Sequence, residues 1–274
     1  MAPGRAERRG GNTAREEQLA TALRAVRDRL AAAAAATGRD PGDVELLPVT
    51  KFFPASDVEI LARLGCRAVG ESRDQEAAAK IAELAGRVPE PLRWHMIGSV
   101  QRNKANSVAR WAFAVHSVDS PRLVGALGRA ADRALAAGER SAPLQIYVQL
   151  SLDGDPARGG VDIADPAAVD ALCAEVAGQP ALRLAGVMGI PPVGADPDEA
   201  FAALAAARQR IAGDHPGATG LSAGMSADLE SAVRHGSTVV RVGTALMGQR
   251  PLRSPSVVTP VTSLSPSFTP KGHR

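Results

Sequence analysis

The stretch VELLPVTKFFP, residues 44–54, is an apolar run that ends in a lysine and is then stopped by a proline. Residues 44–50 are aliphatic or β-branched at nearly every position, which is typical of a strand buried on both faces in a parallel sheet. Lys51 would then lie at the carboxyl end of this strand, where α/β folds bind their ligands. A lysine in that place is a reactive amine, an anion-binding group or a solvated side chain, and this stretch alone does not decide among them.

Composition excludes several classes of protein. The 274-residue chain has a formal net charge of +3, and no basic stripe runs through its middle, which argues against a dedicated nucleic-acid-binding protein. Cys66 and Cys173 have no cysteine or histidine at metal-ligand spacing, so we expect buried free thiols and no metal site. The sequence shows neither the apolar core of a signal peptide nor a stretch long enough to span a bilayer. We therefore expect a cytoplasmic protein that does not bind membranes.

A regular alternation of strands and helices follows the first strand and predicts the fold. A helix over 14–37 precedes it, and eight strands alternate with helices, which indicates a single (β/α)8 TIM barrel with an extra N-terminal helix. An open doubly wound sheet is disfavoured because no strand is followed by G-x-G-x-x-G. Residues 1–13 and 251–274 are predicted to be disordered tails around a barrel domain over 14–250. The eight predicted strands are 44–50, 66–69, 92–97, 113–117, 143–152, 182–190, 220–222 and 237–242.

Two late loops have the composition of phosphate-binding sites. Residues 222–228, SAGMSAD, follow the seventh strand, and residues 239–245, VVRVGTA, span the eighth strand and its exit. Taken singly, Ser226 and Thr244 could be ordinary helix N-caps, but barrels often bind phosphate between these two loops. Together with Lys51 they indicate a phosphate-bearing aldehyde, for which pyridoxal 5′-phosphate is suitable. A Schiff-base aldolase acting on a sugar phosphate is the alternative.

Seven short motifs support a more specific assignment, because their order and spacing agree as well as their letters. Together they resemble the pyridoxal phosphate homeostasis protein family, also called the proline-synthetase-co-transcribed family, whose fold is similar to the barrel domain of alanine racemase. The resemblance runs from the helix before the first strand to about Gly248. The motifs are Thr50-Lys51, Gly70-Glu71, Trp94-His95-Met96-Ile97-Gly98, Gln101-Arg102-Asn103-Lys104, His116-Ser117-Val118-Asp119, Gly224-Met225-Ser226-Ala227-Asp228 and Val240-Arg241-Val242-Gly243-Thr244.

The resemblance implies a set of residues around the cofactor. Lys51 would carry pyridoxal phosphate as an internal aldimine, the two late loops would bind its phosphate, and Arg241 would face the pyridine nitrogen. A guanidinium there favours carbanion chemistry less than a carboxylate does. Ser72 stands where the family usually has an asparagine. The implied cofactor-binding residues are Lys51, Ser72, Met225, Ser226, Arg241, Gly243 and Thr244.

The residues also bear on whether the protein is an enzyme. Racemases of the alanine racemase type need a second acid/base, which that family supplies as a tyrosine from a second domain across a dimer. Here the sole tyrosine, Tyr147, lies inside the fifth predicted strand. We therefore predict a monomeric carrier that holds pyridoxal phosphate and delivers it to apo-enzymes without robust catalysis. A low-activity amino-acid racemase or lyase is the alternative. His95 and His116 could line the barrel mouth or be hydrogen-bonded in the core.

Overall fold

The computed structural model of the protein describes residues 6–88 and 91–250. The predicted C-terminal tail over 251–274 and the first five residues lie outside this part of the chain. The described strands are β1 Glu45–Pro48, β2 Ala68–Glu71, β3 Arg93–Met96, β4 Ala114–Val118, β5 Leu144–Ser151, β6 Val161–Asp162, β7 Leu182–Met188, β8 Gly220–Ser222 and β9 Val239–Val242. The helices are α1 Ala6–Ala35, α2 Ala55–Arg63, α3 Asp74–Leu84, α4 Ala105–Trp111, α5 Pro121–Ala136, α6 Pro166–Ala177, α7 Pro197–Asp214, α8 Leu229–Arg234 and α9 Thr244–Met247.

Eight parallel strands form a nearly closed barrel. Their order is β1-β9-β8-β7-β5-β4-β3-β2, and a parallel bridge between Val49 and Gly70 joins the two ends of this series. The remaining strand, β6, pairs with β5 and is not part of the series. The predicted TIM-barrel fold is thus confirmed, and the closure places the first strand directly between the second and the last.

Side chains alternate between the barrel interior and the surrounding helices, as expected for parallel strands. Leu47, Ala68 and Val239 form an interior cluster. The neighbouring residues on the strands face the helices and form a larger apolar layer. α1 covers the outside near α8 and α9 with apolar residues at intervals of three or four, as its sequence predicts. These residues are Leu19, Leu23, Val26 and Leu30.

Two of the differences from the predicted element boundaries concern α1 and the barrel wall. α1 begins at Ala6, although the sequence predicts disorder over residues 1–13. Extending an existing helix adds one hydrogen bond for each residue fixed, so the helix can continue through a glycine pair. β2 ends at Glu71 and not at Val69, because Gly70 pairs with His95 of β3. Glu71 therefore belongs to the barrel wall and not to the following loop.

The cysteines have the predicted state. Cys66 and Cys173 are free and buried, and burial raises the pKa of the Cys66 thiol to about 11 and that of Cys173 to about 12. Within residues 6–88 and 91–250, no helix has the length and apolar character needed to cross a membrane. The same part of the chain holds no cluster of three or more potential metal ligands.

Candidate functional site

Lys51 lies at the mouth of the barrel, just past the end of β1. Val49 N donates to Val242 O at 2.9 Å and Thr50 N donates to Gly70 O at 3.0 Å, so this segment is hydrogen-bonded on both sides. Strand alternation places Lys51 on the interior face, and its side chain is half-buried. The prediction that the first strand delivers this lysine to the carboxyl end of the barrel is confirmed.

A group of charged residues on the outer side of the barrel wall holds the strand end that carries Lys51. We call Thr50, Glu71, Glu76 and Lys80 the outer charged cluster. Lys80 Nζ donates to Thr50 O at 2.9 Å, to Glu71 Oε1 at 2.7 Å and to Glu76 Oε1 at 2.9 Å. Thr50 Oγ1 donates to Glu71 Oε1 at 2.6 Å. Burial raises the pKa of Glu71, and Lys80 and Thr50 oppose this increase.

The residue after Lys51 has a strained backbone. Phe52 has a φ of 73°, and no other non-glycine residue in the described ranges has a positive φ. This conformation costs about 1–2 kcal/mol and persists where surrounding contacts fix it. Phe52 N donates to Glu76 Oε1 at 2.6 Å, so the outer charged cluster fixes both residues that flank Lys51. The Phe52 ring also lies 5.3 Å from the Arg73 guanidinium and 3.6 Å from that of Arg250.

The two predicted phosphate loops lie against each other at the mouth. Ala245 N, after β9, donates to Ser226 Oγ, after β8, at 3.2 Å. Met225 N donates to Asp228 Oδ1 at 2.6 Å, so this backbone group of the predicted phosphate site already has a partner. The loop is thereby fixed, with the Met225 side chain 37% exposed at the rim.

Three backbone donors in these loops have no acceptor within the described part of the chain. They are the N–H groups of Ser226, Gly243 and Thr244. A Cβ atom at Gly243 would lie 3.7 Å from Val49 Cβ, so this loop runs directly beside the strand that delivers Lys51. Free N–H groups beside an amine are suitable for an anionic ligand that also carries an aldehyde.

Arg241 lies below these loops and is 5% exposed. Its Nη1 donates to Ser222 O at 2.7 Å and to Ser222 Oγ at 2.6 Å, and its Nη2 donates to Gly189 O at 3.2 Å. Burial lowers the pKa of Arg241 to about 10, with Asp228 opposing the shift, so the guanidinium remains charged at neutral pH. A buried cation whose hydrogen-bond partners are neutral favours an acceptor as an additional ligand.

The two histidines lie in the barrel core and do not line the mouth. His95 is 2% exposed and His116 is fully buried, and His95 Nδ1 lies 2.9 Å from His116 Nε2. His116 Nδ1 lies 2.8 Å from Ser222 Oγ. Burial lowers the pKa of His95 to about 3 and that of His116 well below its usual value. We call Arg241, Ser222, His116 and His95 the interior polar chain.

Tyr147 is also an interior residue. Its ring stacks on that of His116 with 4.3 Å between centroids and an interplanar angle of 20°. Burial raises the pKa of Tyr147 to about 12. The sole tyrosine of the chain thus lies within β5, as the sequence predicts, and the structure shows that its ring packs inside the barrel.

Ser72 lies at the mouth, immediately after β2. It is half-buried, and within the described residues its hydroxyl has no hydrogen-bond partner. A Cβ atom at Gly98 would lie 2.3 Å from Ser72 O, so a glycine is required where β3 ends against this loop. β1 separates Ser72 from Gly243 and Thr244, which places the predicted residues on both sides of Lys51.

The structure thus brings the seven predicted residues to one end of β1, β2, β8 and β9. Sequence reasoning named Thr50, Glu71 and Ser222 only as members of motifs or loops, without a supporting role. It missed Glu76 and Lys80 of the outer charged cluster. The i,i+4 spacing of Glu76 and Lys80 on α3 was a usable signal for a helical ion pair, whereas nothing local indicated that Lys80 would reach Thr50.

Comparison with known proteins shows the family. The sequence profile described as alanine racemase, N-terminal domain, matches residues 21–251. The pyridoxal phosphate homeostasis protein of Mycobacterium tuberculosis is 59% identical over 248 residues, which cover 88% of this chain and 96% of that protein.

Solved structures agree with this assignment. PipY of Synechococcus elongatus, solved with pyridoxal phosphate bound, is 31% identical with a TM-score of 0.71, covering 84% of this chain and all of PipY. Alanine racemase from Corynebacterium glutamicum shares the fold, at 15% identity and a TM-score of 0.60 over 84% of this chain and 60% of its own. The chain therefore belongs to the family of the pyridoxal phosphate homeostasis proteins, and its barrel belongs to the domain family described as alanine racemase, N-terminal domain.

Proposed function

We propose that this protein binds pyridoxal phosphate through Lys51 and takes part in intracellular homeostasis of this cofactor by holding it and releasing it to other proteins. The observation that carries the proposal is the adjacency of Lys51 to the free donors of the two late loops, which follows from the pairing of β1 with β9. The binding of pyridoxal phosphate by PipY and the names of the curated relatives support it.

The residues at the mouth have complementary roles toward the cofactor. Pyridoxal phosphate supplies an aldehyde that condenses with an amine, and a ring that withdraws electrons. Lys51 Nζ is the amine. Ser226, Gly243 and Thr244 bind the phosphate, and Met225, held by Asp228, shapes their loop.

Arg241 and Ser72 complete the site. Arg241 only donates hydrogen bonds and therefore favours an unprotonated nitrogen as its partner. Ser72 lies on the opposite side of Lys51 and binds the cofactor through its hydroxyl.

We further propose that the protein lacks robust catalysis. Proton transfer at the α-carbon of an amino acid needs an acid/base group with a pKa near the working pH. His95 and His116 are buried below the mouth with lowered pKa values, and the pKa of Tyr147 is raised to about 12. Met225 and Thr244 are exposed at the rim, so the bound cofactor is open to solvent and to recipient proteins.

Delivery to apo-enzymes as a cytoplasmic monomer is the remaining part of the proposal. Obligate interfaces are large and apolar. Within the described residues, four large apolar side chains are exposed, and they are spread over three loops, with two of them in the loop between β7 and α7: Phe113, Ile190, Val193 and Met225. Sedimentation of the loaded protein should give the mass of one chain, and a dimer would contradict this part.

A spectroscopic titration tests the binding proposal. The chain has four lysines, at positions 51, 80, 104 and 271, so few amines compete. Adding pyridoxal phosphate to the ligand-free protein should produce a visible absorption band with one equivalent bound. The band should be lost in Lys51→Ala and retained in the control Lys104→Ala. A wild-type protein that stays colourless, or a Lys51→Ala variant that binds as well, would refute the assignment.

Hydrogen exchange tests the absence of catalysis. Loaded protein incubated with single amino acids in deuterated water should leave their α-hydrogens in place. Exchange that requires Lys51 would instead establish a racemase or lyase. Transfer to a recipient is measured by adding an apo-enzyme that depends on the cofactor, with and without a phosphatase that destroys free pyridoxal phosphate. Direct delivery predicts activation that persists with the phosphatase.

A further inference from the structure

The interior polar chain has a direction that follows from its chemistry. Arg241 can only donate, so Ser222 Oγ accepts from Nη1 at 2.6 Å. The Ser222 hydroxyl has one proton to place, and His116 Nδ1 at 2.8 Å is the acceptor available to it within the described residues. If His116 Nδ1 carried a proton instead, it would donate to Ser222 and leave the hydroxyl proton without an acceptor beside the Arg241 cation. The direction proposed here places the one unpaired donor at His95 Nε2 instead, at the end of the chain farthest from that charge.

The same reasoning determines the tautomers of both histidines. A neutral imidazole that accepts at Nδ1 carries its proton on Nε2. His116 Nε2 therefore donates to His95 Nδ1 at 2.9 Å, and His95 also carries its proton on Nε2. His95 Nε2 is buried and has no partner within the described residues. The chain thus begins at a permanent cation and ends at an N–H group.

Protonation of either histidine would disrupt the chain. A charged His116 would present an N–H donor to Ser222, which is already the acceptor of the Arg241 donor. A charged His95 would present a donor to His116 Nε2–H. Both changes would also place a second buried positive charge near Arg241. Burial lowers the pKa of both histidines, which agrees with two neutral rings.

The interior polar chain determines which N–H donors of Arg241 remain available to a ligand. Nη1 uses both of its protons on Ser222, and Nη2 uses one on Gly189 O. Within the described residues, the protons that remain without an acceptor are that on Nε and one on Nη2, and we call these two donors the free edge of Arg241. The orientation of this free edge depends on the Ser222 hydroxyl, whose own direction depends on His116.

We propose that Ser222 and His116 are positioning residues, which hold Arg241 by a one-directional hydrogen-bond chain so that its free edge faces the cofactor. The role toward the cofactor rests on the proposed function, whereas the direction of the chain does not. Ser222 and His116 belong to strands β8 and β4, which are separated by β7 and β5, so this chain crosses the barrel interior.

Nitrogen NMR of the full-length, ligand-free protein tests the direction. With the histidine rings labelled with 15N, His95 and His116 should each show a protonated Nε2 and an unprotonated Nδ1. Their signals are assigned from His95→Gln and His116→Gln. A protonated Nδ1 on His116, or a charged ring at neutral pH, would overturn the proposal. This measurement needs no cofactor, and the tautomers are read from the spectrum of the wild-type protein.

A pair of buried serines tests the positioning role. Ser222→Ala should weaken binding of pyridoxal phosphate about 10-fold, since it removes a hydrogen bond to a charged group, and should convert His116 to a mixture of tautomers. Ser237→Ala is the control, because Ser237 is equally buried and bonds to backbone carbonyl groups of Leu221, Ala223 and Val239 without contacting Arg241. It should leave both the affinity and the His116 tautomer unchanged.

The outcomes separate this proposal from the proposed function. Equal losses of affinity in the two serine variants, or an unchanged His116 tautomer in Ser222→Ala, would overturn the positioning role. If the wild-type protein fails to bind pyridoxal phosphate, the proposed function and the positioning role fail together. The histidine tautomers of the ligand-free protein would still decide the direction of the chain.

Discussion

Two buried polar groups support the candidate site from opposite sides of the barrel wall, and they are built differently. The outer charged cluster behind Lys51 combines a lysine with two carboxylates within 2.9 Å. The interior polar chain behind Arg241 has one cation, and the partners of that cation are a hydroxyl and backbone carbonyl groups. The first group pairs its cation with carboxylates, and the second does not.

This difference separates two tasks. The segment that carries Lys51 includes a strained Phe52 and must be held firmly, which compensated ion pairs with several hydrogen bonds achieve. Arg241 must keep unused donors for a ligand, and a carboxylate partner would occupy them. We infer that ion pairs on the outside of the barrel wall hold the segment that carries Lys51. Neutral groups inside the barrel hold Arg241 and leave some of its donors free for a ligand.

The largest expected effect comes from breaking the outer charged cluster. Glu71→Ala leaves the Lys80 ammonium without the buried carboxylate at 2.7 Å. Removing one partner of a buried pair costs about 3–5 kcal/mol, so the free energy of unfolding should fall by that amount in urea denaturation. Glu83→Ala on the same helix is the control. Its pair with Arg87 is exposed and longer, at 3.6 Å, and its loss should cost less than about 0.5 kcal/mol.

If Glu71→Ala and Glu83→Ala lowered the free energy of unfolding equally, the distinction between buried and exposed ion pairs would be contradicted. A Glu71→Ala variant of normal stability would show that Glu76 and the Thr50 carbonyl group are sufficient partners for Lys80. In that case the segment carrying Lys51 would not depend on Glu71.

A smaller effect on the free energy of unfolding depends on pH and comes from the two histidines of the interior polar chain. His95 and His116 have folded-state pKa values below those of the unfolded chain, so the unfolded state binds more protons as the pH falls below about 6.5. Stability should therefore decrease from about pH 6.5 toward pH 3, with up to about 1.4 kcal/mol per pH unit for each histidine. Glu71 has a raised pKa and contributes with the opposite sign, because the folded state takes up its proton more readily.

The variant His95→Gln isolates this effect, because an amide can still accept from His116 and does not titrate. Urea unfolding at pH 7, 6 and 5 should give a shallower decrease for the variant than for the wild type. If the free energy of unfolding falls equally with pH in the variant and in the wild type, His95 does not contribute to the loss of stability in acid.

The smallest effect is expected at the exposed side of the same mouth. Arg250 lies over the Phe52 ring at 3.6 Å but is exposed. Exposed cation–π contacts contribute about 0.5–1 kcal/mol, so Arg250→Ala should lower the free energy of unfolding by no more than that. A loss as large as that of Glu71→Ala would mean that this contact, and not the buried cluster, holds the segment.

Much of the fold could be predicted from the sequence, because strand periodicity and helix signals are local. The predicted seventh strand, 220–222, coincides with β8, and the other seven barrel strands were placed within a few residues. The predicted end of β2 is wrong because Gly70 and Glu71 are interpreted as the residues that follow the strand and open the next helix. Their strand conformation depends on pairing with β3 and on Lys80, which is nine residues further along the chain from Glu71.

The sequence motifs identified the residues of the candidate site. They did not identify the residues that hold those site residues in position. His116 and Ser222 are 106 positions apart, so no local pattern links them. Whether the histidines lined the mouth or lay in the core could not be decided from their positions near strand ends. The structure decides this by the strand pleat, which points both rings into the barrel below the mouth.

The most direct test of the central claim is to find which amine holds the cofactor. Protein loaded with pyridoxal phosphate is reduced with borohydride, digested and mapped by mass spectrometry. Our account predicts one modified residue, Lys51, and an unmodified Lys80, Lys104 and Lys271. Modification of any other lysine in its place, or no modification of a protein that has bound the cofactor, would contradict it.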